Sequence, residues 1–234
     1  MRRLMNGTPL STRESKLKQF AMIFGVAGLA SISAAQSMNI DFNWPGGGGS
    51  LPSNLYGAAG SVGEWNNANI GSPFVITNFP LVDLGNAPTT SQLNLTGFST
   101  SLAPGSYTGD DLKLMEDTAG SSGGAVLNIT GLLPGNYNVF LYGQSASGNV
   151  TSTFIINSVS QASSGGWAGS HVLGNSYVLF SGLAVTGGSL TVNYTGNFNG
   201  AQLQYSPVPE PMTILGLLSG LSALGLKRNR QKQG

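Results

Sequence analysis

The sequence has no cysteine and a single histidine, His171, among 234 residues. Without thiols the chain has no disulfide bonds, thiol nucleophiles, covalently attached haem c or cysteine-ligated zinc. One histidine also excludes a metal centre built from several histidines. Glycosidase chemistry stays open, because it needs only two facing carboxylates and seven acids lie between residues 36 and 207.

Charge is also scarce. Charged residues make up 8% of the chain, against roughly 25% in an ordinary soluble domain. Between residues 36 and 207 the only base is Lys113. Nucleic-acid affinity depends on Lys and Arg that neutralise phosphates, so this composition excludes nucleic acid as a partner. The 40% hydrophobic share still supports a packed core, and the length fits one domain with targeting segments.

The first 35 residues have the three parts of a secretory signal peptide. A basic start is followed by an uncharged apolar run over residues 20–30, and then by small residues at Ser33 and Ala35. This order is typical of a signal peptide that signal peptidase removes. The sequence therefore predicts export, with cleavage after Ala35.

The last 29 residues, 206–234, combine three unlike elements. Val208-Pro209-Glu210-Pro211 is held extended by its prolines, and an apolar run over 212–226 follows it. At ~1.5 Å per residue the run is shorter than the ~30 Å hydrocarbon core, but the following bases can snorkel to the surface. We expect a transmembrane helix over 212–226 and a basic tail over 227–234 with Lys227, Arg228 and Arg230.

This tail resembles the PEP-CTERM sorting signal of exported proteins in Gram-negative bacteria that make extracellular polysaccharide. The resemblance implies that Val208, Pro209, Glu210 and Pro211 are the motif recognised by an exosortase. It also implies transient anchoring in the inner membrane, removal of the tail, and passage to the cell envelope or extracellular matrix. The alternative is a tail anchor that is never cleaved.

The body, residues 36–205, shows nine short β-type runs with turn residues between them and no helical pattern. The runs are Met38–Phe42, Phe74–Thr77, Gln92–Thr96, Ala125–Thr130, Tyr137–Tyr142, Ser152–Ile156, Tyr177–Ser181, Leu190–Tyr194 and Ala201–Tyr205. In the fourth run, Leu127 and Ile129 point to one face while Val126, Asn128 and Thr130 point to the other, and this two-residue period is typical of an antiparallel sheet with one wet face. We predict an all-β fold, an antiparallel two-sheet sandwich of the jelly-roll or immunoglobulin-like kind.

The stretch from Gly131 to Gly143, with later strand patterns, resembles the carbohydrate-binding sandwich modules that precede many PEP-CTERM tails. That resemblance implies an affinity for extracellular polysaccharide. Trp65 and Trp167 stand in loop-like sequence, where ligands usually bind, and are candidate platforms for stacking sugar rings. The alternative is that both indoles cover the core.

Acidic residues around Lys113 are the only indication of a cofactor. Asp110, Asp111 and Asp117 carry the oxygen ligands that Ca²⁺ prefers, and Asp41 is a second place for such a site. The alternative is a solvated acidic turn. No other cofactor is expected.

The favoured hypothesis is an exported, non-catalytic surface or matrix protein, sorted by an exosortase and associated with exopolysaccharide. A polysaccharide-modifying hydrolase or lyase that uses carboxylates of the body is the second hypothesis. An uncleaved, tail-anchored envelope protein is the third.

Overall fold

A computed structural model describes residues 36–45, 50–102, 108–144 and 150–207. The predicted signal peptide with Ala35 lies outside these residues. So does the predicted sorting tail, with Val208, Pro209, Glu210, Pro211, Lys227, Arg228 and Arg230. Within the described ranges, no helix is long and apolar enough to cross a membrane.

The described part is built mostly from β-strands, with a single short helix. The elements are β1 (Met38–Asn43), β2 (Trp65–Asn69), β3 (Ile76–Val82), β4 (Pro88–Thr96), β5 (Ser99–Leu102), α1 (Gly109–Met115), β6 (Asp117–Thr130), β7 (Gly135–Tyr142), β8 (Ser152–Ile156), β9 (Val159–Ser163), β10 (Tyr177–Val185), β11 (Ser189–Gly196) and β12 (Gly200–Ser206). All nine predicted runs fall wholly or partly within these strands.

Two sheets pack in a sandwich-like arrangement. The five-stranded sheet has the order β10-β7-β12-β1-β2, and the seven-stranded sheet has the order β3-β4-β6-β11-β8-β9 with β5 paired to β6. Every pair is antiparallel except β1 with β2, which run parallel. The predicted all-β, two-sheet architecture is thereby confirmed at this level, and the parallel pair is a departure from it.

The main core lies between the two sheets and follows the two-residue period of the strands. In β6, Ala125, Leu127 and Ile129 are buried, while Val126 between the first two is exposed, as the alternation predicts. Ile40 of β1 and Leu141 of β7 face the same core from the opposite sheet. Residues next to them in sequence must then point to the outer face of the five-stranded sheet.

The helix α1 corrects the prediction that the body has no helix. It spans only seven residues, too few for a repeating helical pattern to stand out in the sequence. Asp110 and Asp111 occupy its first turn, where the helix dipole favours negative charge, and Leu114 and Met115 are its buried residues. The acidic residues after Thr108 therefore begin a helix rather than form a solvated turn.

Candidate functional site

Aromatic side chains cover part of the outer face of the five-stranded sheet. Phe140 and Tyr142 of β7 alternate with the core residues of that strand, and Tyr177 lies opposite Tyr142 on β10. The rings of Tyr142 and Tyr177 are 5.9 Å apart, and those of Phe140 and Tyr177 are 6.0 Å apart. We call these residues, together with Trp65 and the overlying Tyr56, Trp167 and His171, the aromatic layer.

Hydrogen bonds hold the segment 50–64 against this face. The Tyr142 hydroxyl accepts a bond from Ala59 N at 2.9 Å and donates to Gln202 Oε1. Gly60 N donates to the same Gln202 oxygen at 2.9 Å. A Cβ at position 60 would lie 2.6 Å from that oxygen, so a larger residue there would displace the Gln202 amide. The segment is therefore fixed to the sheet, which places Tyr56 over it.

Tyr56, Asp111 and His171 form one hydrogen-bonded unit. The Tyr56 hydroxyl lies 2.5 Å from Asp111 Oδ1 and 2.6 Å from His171 Nε2, and that nitrogen is 3.3 Å from the same carboxylate oxygen. A carboxylate only accepts hydrogen bonds, so the Tyr56 hydroxyl donates to Asp111 and accepts a hydrogen bond from Nε2–H of His171. Burial, followed by the bond to Asp111, raises the pKa of Tyr56 far above its usual range.

The imidazole of His171 is enclosed by rings. Its centroid lies 5.1 Å from the ring of Tyr142 and 5.2 Å from that of Trp167, both in edge-to-face contact. Burial lowers the pKa of His171, and the Asp111 carboxylate opposes this shift. With the proton on Nε2, the buried Nδ1 is left with a free lone pair and no hydrogen-bond partner. The residue is thus a neutral histidine within an aromatic layer.

Of the two predicted tryptophans, only Trp167 is open to solvent. Trp65 is the first residue of β2 rather than part of a loop, and it is 3% exposed. Its ring stacks on the ring of Tyr56, with 5.9 Å between the centroids, and its indole N–H donates to Tyr56 O at 3.1 Å. Its ring is enclosed by the protein, as expected for an indole that covers the interior, and little of it is left for a sugar to stack on. Trp167 is partly exposed and packs against the aromatic layer.

The three acids predicted to hold Ca²⁺ do not form one site. Asp110 accepts bonds from Ser53 Oγ at 2.6 Å and from Lys113 Nζ at 2.9 Å, and the Ser53 bond is the main cause that lowers its pKa. Asp111 belongs to the Tyr56 unit, whereas Asp117 is buried and accepts a bond from Trp44 N. In the part of the chain that the structure describes, no three acidic or histidine side chains are grouped to hold a metal.

Sequence reasoning missed Tyr56 and Tyr177. Tyr56 stands in an irregular segment whose only local sign was its abundance of Gly, Ala and Ser, and its partners are 55 and 115 residues away. The sequence predicts Tyr177 as a strand residue, but not as part of a site. The two-residue period of β10 places Tyr177 on the face opposite the core residue Val178. This alternation is the feature of the sequence that could have identified Tyr177 as an outer-face residue.

A second surface feature lies on the outer face of the seven-stranded sheet. It is a groove of about 350 Å³ between β6, β8 and β11, lined by Val126, Thr153, Ile155 and Asn193 among others. The ring of its one aromatic residue, Tyr194, belongs to the main core and is 2% exposed. The groove therefore offers no ring on which a sugar would stack.

The described part is thus a sandwich-like protein with an aromatic layer on one outer face. No protein-family model matches the chain, and no curated protein matches it. Three solved structures give weak likenesses. One is a chain from the crystal structure of the plant peptide RALF23 in complex with FER and LLG2, at 12% identity and a TM-score of 0.44, covering 76% of this chain and 41% of that one.

The second is a ruminal GH26 endo-β-1,4-mannanase, at 12% identity and a TM-score of 0.28, covering 49% of this chain and 27% of that one. The third is the exo-β-1,3-galactanase Pc1,3Gal43A from Phanerochaete chrysosporium with galactose, at 17% identity and a TM-score of 0.28, covering 55% of this chain and 34% of that one. The chain spans less than half the length of each. Similarity at this level supports no inference about function.

Proposed function

We propose that this chain is an exported, non-catalytic protein of the cell surface or extracellular matrix that binds polysaccharide at the exposed rim of the aromatic layer. The observation that carries the proposal is the position of Trp167 and Tyr177. Both rings are partly exposed and both pack on the same buried aromatic cluster. Such rings give a sugar an apolar face that is already held in place before the ligand arrives.

The surroundings of these rings suit a neutral, hydroxyl-rich ligand. Ser53, in the segment 50–64, and Asp110, on α1, bring polar atoms to the same side of the sheet, where Tyr56 and His171 are tied to Asp111. Aromatic walls with a few fixed polar groups are the usual composition of a small-molecule site. Lys113 is the only Lys or Arg in the body, so the site does not depend on strong charge attraction.

The state of the carboxyl groups favours binding over hydrolysis. A glycosidase needs a carboxylic acid of raised pKa that reaches the glycosidic oxygen. Asp110 is near the surface, but its pKa is lowered. Asp41 and Asp117 have raised pKa values, but each is 1% exposed. Among the described residues, the two carboxyl groups with a raised pKa are therefore both buried, and neither can reach a glycosidic oxygen.

The predicted tail supplies the cellular part of the proposal. A signal peptide over residues 1–35 and a sorting motif at 208–211 would deliver the body through the inner membrane to an exosortase. The processed protein would then stay in the envelope or in the polysaccharide matrix. Its sandwich is, on this proposal, of the carbohydrate-binding kind.

Affinity electrophoresis tests the binding proposal. The full chain, purified in detergent, would be run through gels that contain the extracellular polysaccharide of the producing strain or a panel of neutral and acidic polysaccharides. We expect retardation by at least one of them, and at least ~10-fold weaker binding for Trp167→Ala. Phe74→Ala is the matched control, because it removes a 42% exposed ring outside the aromatic layer.

Two results would overturn the binding proposal. The first is an absence of retardation of the wild-type chain by every polysaccharide tested. The second is equal retardation of the wild-type chain and Trp167→Ala when both have the same circular dichroism spectrum.

A further inference from the structure

Asp41 and Asp117 form a buried pair of acids outside the aromatic layer. Asp41 lies in the middle of β1, on the face opposite the core residues Ile40 and Phe42, and Asp117 is the first residue of β6. Each is 1% exposed. Their charges lie close enough for Asp117 to contribute, after burial itself, to the raised pKa of Asp41.

The backbone between β11 and β12 brings the two acids together. Asn199 donates from Nδ2 to Met115 O at 3.0 Å and to Asp117 O at 3.1 Å, while its own carbonyl accepts a bond from Phe42 N at 3.1 Å. Gly200 is the partner of Asp41 in the ladder between β1 and β12. The buried Asn199 thus connects three places: the end of α1, the start of β6 and β1.

Among the described residues, no basic side chain contacts this pair. Lys113 pairs with Asp110, and the neutral His171 lies beside Asp111, so neither contact involves Asp41 or Asp117. Burial raises the pKa of Asp117, and the neighbouring acid Glu116 raises it further. Two carboxylates in such a place repel each other and lose hydration, so the pair requires a cation or a proton.

Two oxygens of the pair are left without a hydrogen bond. Asp117 Oδ2 accepts a bond from Trp44 N at 3.0 Å, but Oδ1 of Asp117 and Oδ1 of Asp41 are both buried without a hydrogen-bond partner. A buried polar atom of this kind normally has a partner. A metal ion bound to both carboxylates would supply one to each oxygen, and a proton on one of the acids is the alternative that the experiments below separate.

We propose that Asp41 and Asp117 bind one divalent cation, Ca²⁺, that ties β1 to the start of β6. The donor set consists of oxygen atoms only, which suits a hard cation and not Zn²⁺, and the chain has no thiol and no second histidine to change this. Asn43, also buried, stands two residues along β1 and so brings an amide oxygen to the same face. Ca²⁺ accepts such irregular sets more readily than Mg²⁺, which demands near-octahedral geometry.

Terbium luminescence tests the site on the unaltered protein. Tb³⁺ replaces Ca²⁺ at oxygen sites and emits when a nearby indole is excited, and the backbone of Trp44 is bonded to Asp117. The full chain in detergent, stripped with EDTA, should give saturable emission that added Ca²⁺ suppresses. Trp44→Phe should lose most of that emission while it still binds Ca²⁺.

Thermal unfolding supplies the second measurement. A cation that binds only the folded chain at 100 times its dissociation constant should raise the midpoint by roughly 5–10 °C. Asp41→Asn and Asp117→Asn should each lose this rise. Asp110→Asn is the matched control and should keep it, because that acid already pairs with Lys113.

The proposal can be tested even if an Asn variant fails to fold. The Tb³⁺ emission and the effect of Ca²⁺ on the unfolding midpoint are both measured on the wild-type chain. A wild-type midpoint that is independent of Ca²⁺, with no saturable Tb³⁺ emission, would overturn the proposal in favour of a protonated pair. A calcium response that survives in both folded Asn variants would overturn it too. Neither result bears on polysaccharide binding at Trp167.

Discussion

The Tyr56 hydroxyl lies 2.6 Å from Nε2 of His171, which is 115 residues further along the chain. Asp111 completes the unit from a third segment, the first turn of α1. Three segments that cover the five-stranded sheet are therefore joined by a single hydroxyl group. Trp167 packs on His171, so the order of the exposed rim depends on this unit.

Replacement of Tyr56 by Phe should destabilise the protein by about 1–3 kcal/mol, because it removes the acceptor of the His171 N–H and the donor to Asp111. Urea unfolding measures the change. Tyr205→Phe is the control, since its hydroxyl makes one exposed bond to Pro134 O and should cost less than ~1 kcal/mol. Equal losses for the two variants would show that the unit contributes nothing specific.

His171 should make stability depend on pH in a defined direction. Burial lowers its folded pKa below the ordinary value of 6.5, so the unfolded chain binds a proton first as the pH falls. The free energy of unfolding should therefore drop as the pH falls from 6.5 towards the folded pKa. The slope in this window should be smaller in His171→Gln.

The imidazole can also be observed directly. Its carbon-bound protons, followed by NMR, should titrate below 6.5 in the folded full chain. Titration at or above 6.5 would contradict the burial of a neutral imidazole.

Gly200 should tolerate no side chain. A Cβ there would lie 2.6 Å from the Ile40 carbonyl oxygen and 2.7 Å from Leu114 Cδ1, so α1 would have to move away from the sheet. We expect Gly200→Ala to cost about 1–3 kcal/mol in urea unfolding. Gly187→Ala, where a Cβ meets open space, should change stability by less than ~0.5 kcal/mol. Equal effects at both positions would refute this close packing.

The sequence alone predicts the strands whose hydrophobic period is plain. The run Ser152–Ile156 coincides with β8, and the buried Leu127 and Ile129 show the expected alternation in β6. Three strands escaped prediction because their composition resembles loops: β2, β5 and β9 are rich in Asn, Ser, Thr and other polar residues. They are strands because neighbouring strands pair with them, which no local pattern shows.

The candidate site was only partly predictable. Trp167, Asp110 and Asp111 were selected from the sequence, and the structure gathers them around the aromatic layer. The sequence predicts Trp65 as a platform for sugar rings and Asp117 as a Ca²⁺ ligand beside Asp110 and Asp111, and both side chains are buried. Burial of a polar or aromatic residue depends on which distant segment covers it. Trp65 is covered by Tyr56, and Asp117 lies beside the segment that contains Asn199.

The most direct test of the proposed export and sorting is the intact mass of the native protein, recovered separately from the cytosol, the envelope and the culture medium. The account predicts an envelope or extracellular species that starts after Ala35 and lacks Lys227, Arg228 and Arg230. An unprocessed chain of 234 residues, found in the cytosol alone, would contradict it.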